Sequence, residues 1–212
     1  MSYNNLKKIY EKLFEHFGPQ HWWPAESAFE VMVGAILTQN TSWNNVERAI
    51  KNLKKEKLLS PQKLYSLSVA KLGLHIRSCG YYNIKAERLR NFLSFFLKKY
   101  KGSIKRMAKQ KLAILRKELL SIKGIGKETA DSILLYALNK PIFVVDAYTK
   151  RIFSRHNLIS EDATYDEVQK LCMDWLPTDT SLFNEFHALL VKLAKEYCLK
   201  SKPRCQRCPL KK

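Results

Sequence analysis

The sequence predicts an all-α fold, and three observations carry that reading. Apolar residues recur three and four apart along most of the 212 residues. No run of alternating residues has the flanking turn chemistry of a sheet. The one extended apolar run, Ile142-Phe143-Val144-Val145, is too short and leads into a helix start. Short breaks at Gly18-Pro19, Ser60-Pro61, Gly102-Ser103 and Pro141 punctuate the helical segments.

Taken in order, Leu6, Ile9, Tyr10, Leu13, Phe14 and Phe17 mark a first helix. Phe29, Met32, Val33, Ile36 and Leu37 mark a second. Further amphipathic stretches run near 43–56, 83–100, 109–121, 127–138, 147–156, 164–175 and 181–198. There is no internal repeat and no low-complexity linker. The length allows one large or two small domains. A hydrophobic content of 46% is ample for a packed core. With no N-terminal apolar segment of the signal type and no long uninterrupted apolar run, neither secretion nor a membrane span is expected, which leaves a cytoplasmic, nucleoid-associated protein.

The charge points to the partner. There are 38 Lys+Arg against 19 Asp+Glu, a formal net charge of +19. An excess of that size on a compact chain suits a polyanion, usually nucleic acid, although a lysine-rich soluble protein would also show it.

The most informative stretch is 119–151. Gly124-Ile125-Gly126 stands between two helical patterns, where glycines let the backbone turn tightly. Such a turn leaves unpaired N–H groups at the next helix start, where a phosphate can sit against the helix dipole. Asp146 then follows Pro141 and the apolar run and precedes the pattern at 147–156, with Lys150 and Arg151 one turn on. Alone, Asp146 reads equally well as a helix N-cap. The order of the parts resembles the helix-hairpin-helix, Gly/Pro, Asp motif of the endonuclease III superfamily of DNA glycosylases.

Two further segments are similar to that family. Gly34-Ala35-Ile36-Leu37-Thr38-Gln39-Asn40-Thr41 resembles the segment that carries a glutamine into the duplex, where a planar amide can fill the hole left by an extruded base. The same residues would otherwise be a polar loop with a helix cap. Gly80-Tyr81-Tyr82-Asn83-Ile84-Lys85-Ala86 resembles a family helix entry near the DNA backbone, and the structural reading suits it best.

Among five cysteines, Cys79 and Cys172 read as buried small apolar residues. Cys198, Cys205 and Cys208 have the spacing C-x6-C-x2-C, and clustered cysteines in a cytosolic protein suggest metal. The spacing looks like the first three ligands of the [4Fe–4S] loop of endonuclease III, which takes four thiolates. The family's fourth cysteine would fall six residues past Cys208, beyond Lys212. The alternatives left open are a fourth ligand past that point, one from elsewhere, loss of the cluster, or zinc on a partial set.

Bifunctional family members carry a lysine eighteen positions before the Asp, where it attacks the sugar C1′ as an imine-forming nucleophile. That position here is Glu128; Lys127 lies about 100° away around the helix. Glutamate forms no imine, so the resemblance implies a monofunctional enzyme that uses water. A carboxylate such as Asp146 can stabilise the oxocarbenium-like state and orient that water. Such chemistry works best when the leaving base is already cationic, as an N-alkylated purine is. Trp22-Trp23-Pro24 and Trp43 offer flat faces to such a base, although tryptophans at helix ends are usually core.

Together these segments resemble the 3-methyladenine DNA glycosylase branch. The resemblance implies two helical lobes with a DNA cleft between them: a six-helix barrel with the hairpin over 20–138, and a lobe of 1–19 and 139–212. It implies a monomer acting on damaged double-stranded DNA. Asp146 would be catalytic, with Trp22, Trp23, Pro24, Trp43 and Glu128 at the base pocket. Gln39, Lys123, Gly124, Gly126, Lys127 and Thr129 would meet DNA, and Cys198, Cys205 and Cys208 a cluster. The rival expectations are an endonuclease III-like enzyme for oxidised pyrimidines with lyase activity, and a non-catalytic helix-hairpin-helix module.

Overall fold

The computed structural model describes residues 3–211, with side chains from residue 5; Met1, Ser2 and Lys212 lie outside the described residues. The described chain is helical, with twelve α-helices and no strand, and it forms two compact units. One is Ala25–Lys140; the other joins Met1–Pro24 to Pro141–Lys212. The all-α expectation is met.

The unit Ala25–Lys140 is built around α2 (Ala28–Leu37), in which every residue after Ala28 is buried. The Ser27 hydroxyl starts it by accepting the Glu30 N–H at 3.2 Å. Around it lie α3 (Trp43–Lys55), α6 (Tyr82–Tyr100) and α9 (Lys127–Ser132). Phe92 and Phe29 stack on Phe96 at 5.8 and 6.3 Å between centroids. Four shorter helices complete the unit: α4 (Pro61–Ser66), α5 (Val69–His75), α7 (Ile104–Ala108) and α8 (Leu112–Leu120).

Periodicity did not reveal α4, α5 or α7, because five to seven residues span too few turns to show a stripe. Two expected breaks are instead helix starts: Pro61 opens α4 behind Ser60, and the Ser103 hydroxyl accepts the Arg106 N–H at 3.3 Å to open α7. The stretch at 127–138 is α-helical only through Ser132 and then becomes a π-helical segment, Ile133–Ala137.

The second unit packs α1 (Tyr3–Phe17), α10 (Ala147–Arg155), α11 (Tyr165–Trp175) and α12 (Thr180–Glu196). Its core gathers Leu6, Leu13, Phe143, Phe153, Phe183 and Phe186, with Phe143 edge-on to Phe183 at 5.7 Å. The run at 142–145 is buried and lies outside any helix. Its backbone is satisfied laterally: the Phe143 carbonyl accepts from Gln169 Nε2 at 2.6 Å, and the Val145 N–H donates to the Tyr165 hydroxyl at 3.4 Å. No helix among the described residues is long and apolar enough to cross a membrane.

Candidate active site

In the second unit the buried run delivers Asp146 to the start of α10. Its Oδ1 accepts the Thr149 N–H at 2.7 Å, so the N-cap reading is correct as far as that atom goes. The other oxygen, Oδ2, stands 3.5 Å from Nε2 of His187 on α12. Both side chains are largely enclosed, 12% and 9% exposed. Burial opposes ionisation of this carboxyl. The His187 imidazole facing it, with the Thr149 N–H, nevertheless holds it below its ordinary value of 3.8. The result is an oriented anion in a largely enclosed site, a state that can oppose positive charge developing beside it. Trp22 and Trp23 lie in the same unit, half-buried, joined by a cis peptide with ring centroids 5.1 Å apart; Pro24 beside them is exposed.

In the unit Ala25–Lys140, the hairpin joins α8 to α9. Ile122 and Ile125 tuck inward as anchors, while Lys123, Gly126, Lys127 and Glu128 are exposed. The bidentate pair of Arg116 with the fully buried Asp131, at 2.7 and 3.0 Å, ties α8 to α9. Asn91 Nδ2 donates to the Lys123 carbonyl at 3.1 Å. The two glycines have different reasons. Gly124 has φ +95°, and a Cβ there would fall 2.3 Å from Cγ of Arg88. Gly126 has φ −92° with open space around it, so the expectation that both glycines serve the tight turn holds for Gly124 alone.

Gln39 lies half-buried against this hairpin. Its Nε2 donates to the Gly124 carbonyl at 3.1 Å and to the Thr129 hydroxyl at 2.9 Å, and its Oε1 accepts from Arg88. Three expected DNA-contacting residues, Gln39, Gly124 and Thr129, are thus brought together. Thr129, however, is buried and turned to Gln39 rather than outward. Trp43 stands half-buried at the first turn of α3.

Sequence reasoning missed His187 and Arg88. His187 had a signal: it interrupts the apolar stripe of Phe183, Phe186 and Leu190 on α12. Arg88 had none, since its role depends on the hairpin folding over it.

The cysteines divide as expected in part. Cys79 and Cys172 are fully buried, and burial pushes both thiols up. Cys198, Cys205 and Cys208 border one cavity of about 570 Å³, together with Arg155, His156 and Tyr197. Arg155 donates to Cys198 Sγ at 3.3 Å and to the carbonyls of Leu199 and Lys200. Burial raises the Cys208 thiol, and Cys198 and Cys205 raise it further. Yet among the described residues no three Cys, His, Asp or Glu side chains converge as the ligands of one metal ion.

Comparison with known proteins assigns the architecture. The profile of the HhH-GPD superfamily base excision DNA repair proteins matches residues 33–178. A Methanocaldococcus jannaschii protein, provisionally named a DNA repair glycosylase, is 53% identical over 97% of this chain and 94% of its own. A 3-methyladenine DNA glycosylase of H. pylori (MagIII), solved with 1,N6-ethenoadenine, is 30% identical, with a TM-score of 0.76 over 92% of this chain and 98% of its own. A trapped endonuclease III–DNA covalent intermediate shares the fold, with a TM-score of 0.84 at 22% identity over 99% of this chain and 94% of its own. With the hairpin and the enclosed aspartate in place, the chain belongs to the HhH-GPD superfamily of base excision DNA repair proteins and is a DNA glycosylase of that family.

Proposed function

We propose that this glycosylase is monofunctional and hydrolyses the N-glycosidic bond of N-alkylated purines, 3-methyladenine first. The observation that carries the reading is Asp146, a largely enclosed carboxylate kept ionised and aimed by two separate contacts. As the glycosidic bond lengthens, positive charge develops on the sugar. The carboxylate opposes that charge and orients the attacking water. Alkylation has already made the leaving base cationic, so little acid catalysis is needed.

The nucleophilic route has no lysine at the expected place. Glu128 stands there, exposed in the first turn of α9, and a carboxylate forms no imine. Trp22, Trp23, Pro24 and Trp43 are the base-pocket residues of this proposal. Their faces suit a cationic base, with about 0.5–2 kcal/mol from each good stacking contact. The likeness to a 3-methyladenine glycosylase supports the same substrate class. The hairpin residues Lys123, Gly124, Gly126, Lys127 and Thr129 hold the DNA backbone, and Gln39 leaves its hydrogen bonds on the hairpin to fill the space of the extruded base.

In this proposal the enzyme works as a monomer at the nucleoid, with 20–138 as one lobe and 1–19 with 139–212 as the other. A [4Fe–4S] cluster at Cys198, Cys205 and Cys208 is supported by their spacing and shared cavity, and no step of the reaction passes through it. Incubation with alkylated duplex DNA and identification of the freed bases tests the proposal. Release of 3-methyladenine without strand cleavage supports it. Borohydride trapping of a covalent DNA adduct would establish the lyase reading instead, and DNA binding with no base released would leave a non-catalytic module.

A further inference from the structure

His187 stands out on α12 because it is the polar residue of a stripe otherwise made of fully buried Phe183, Phe186, Leu189 and Leu190, and it is itself 7% exposed. An imidazole in that setting loses hydration unless a group on the facing element answers it. Asp146, the N-cap of the packed helix α10, faces it 3.5 Å away at Oδ2. Capping α10 needs one carboxylate oxygen, and the Thr149 N–H takes Oδ1. The contact with His187 is therefore additional to capping and falls on the atom that capping leaves over.

We propose that His187 is the positioning residue of the catalytic carboxylate, fixing Asp146 Oδ2 from α12 so that the anion meets the sugar in one orientation. This inference rests on the reading of Asp146 given above. With only Oδ1 tied, the carboxylate plane can swing about the Cβ–Cγ bond. A second contact from another helix removes that freedom before substrate arrives, and a group aimed beforehand loses nothing to reorganisation in the transition state. The same contact acts on charge. Among the described residues, the groups bearing on the Asp146 carboxyl are His187 from α12 and Thr149 from α10. From α11, the Tyr165 hydroxyl reaches the adjacent backbone at the Val145 N–H. Loss of His187 removes the main influence that offsets burial, so the carboxyl titrates at higher pH.

A merely structural histidine would behave differently. Its replacement would lower stability while leaving the titration of Asp146 and the rate per folded molecule unchanged. His187→Phe keeps a ring in the core and deletes the N–H. His187→Gln places an amide nitrogen near the same reach. In the whole 212-residue chain, two readouts separate the cases: the carboxyl ¹³C titration of Asp146, assigned by its loss in Asp146→Asn, and single-turnover base release from dimethyl sulfate-treated duplex.

The Phe variant should move the Asp146 midpoint to higher pH and slow single-turnover release on the order of tenfold with duplex affinity unchanged, and Gln should recover most of both. A native midpoint and a native rate in His187→Phe would overturn the proposal, whatever the melting temperature does. If the Phe variant does not fold, His187→Gln and His187→Asn carry the test, because only the longer amide reaches Oδ2; native values in both overturn it equally. A wild-type protein that frees no base from this duplex would defeat the alkylated-purine reading, while the Asp146 midpoint would still judge His187.

Discussion

The two glycines of the hairpin should respond very unequally to the same small change. Gly124→Ala puts a Cβ on a residue at φ +95°, 2.3 Å from Cγ of Arg88. The positive φ alone costs about 1–2 kcal/mol for an L-residue. Arg88 must also move, which breaks its hydrogen bond to Gln39; a bond from a charged donor contributes about 1.5–3 kcal/mol where it is well enclosed, and the lower end applies to this half-buried pair. The expected loss is about 3 kcal/mol. For a protein of this length that lowers the melting temperature by roughly 6–12 °C. Gly126→Ala, at φ −92° with nothing within 4 Å of its would-be Cβ, should stay within about 0.5 kcal/mol of wild type. Thermal unfolding of both variants by circular dichroism checks this, with duplex affinity measured alongside. Equal shifts in the two variants would refute the assignment of Gly124 as the turn-critical glycine.

Other consequences follow from the same geometry. Trp43→Ala should weaken excision of a cationic lesion more than binding to undamaged duplex, since stacking acts on the extruded base; equal losses in gel-shift and release assays would make Trp43 structural only. The Asp146 carboxyl lies below its ordinary value in the folded protein, so its contribution to stability is full above that value and is lost as pH falls through the folded one. Asp146→Asn should accordingly flatten the acid side of the stability–pH curve measured by chemical denaturation. Protein purified anaerobically should be yellow-brown, with absorption that disappears in Cys205→Ser and with weaker DNA binding of reduced salt slope in that variant. A colourless, metal-free and fully active protein would show that the loop has kept the cysteine spacing without the cofactor.

Much of this architecture was legible from residue order. The stripe of Phe29, Met32, Val33, Ile36 and Leu37 announced α2, and Thr164, Asp179 and Ser27 are caps of the kind that a helix start requires. Helices of a turn or two, such as α7, escaped because a stripe needs length. The π-helical segment at Ile133–Ala137 escaped because its register depends on packing against α2, which no local pattern encodes. At the site, Asp146 could be picked out by its place after an apolar run. Its partner could not, since Asp146 and His187 are forty-one positions apart and meet only when α10 packs on α12. Arg88 was hidden for the same reason. A glycine pair reads alike in sequence, and only the dihedrals separated Gly124 from Gly126.

In the proposed reaction Asp146 drives hydrolytic release of an alkylated purine. Its most direct test is chromatographic identification of the bases freed from dimethyl sulfate-treated duplex by wild type and by Asp146→Asn under single-turnover conditions. The wild type should free 3-methyladenine, the variant should lose release on the order of 10²-fold or more, and both should bind duplex with equal affinity. Near-normal release by a well-folded Asp146→Asn protein would contradict it.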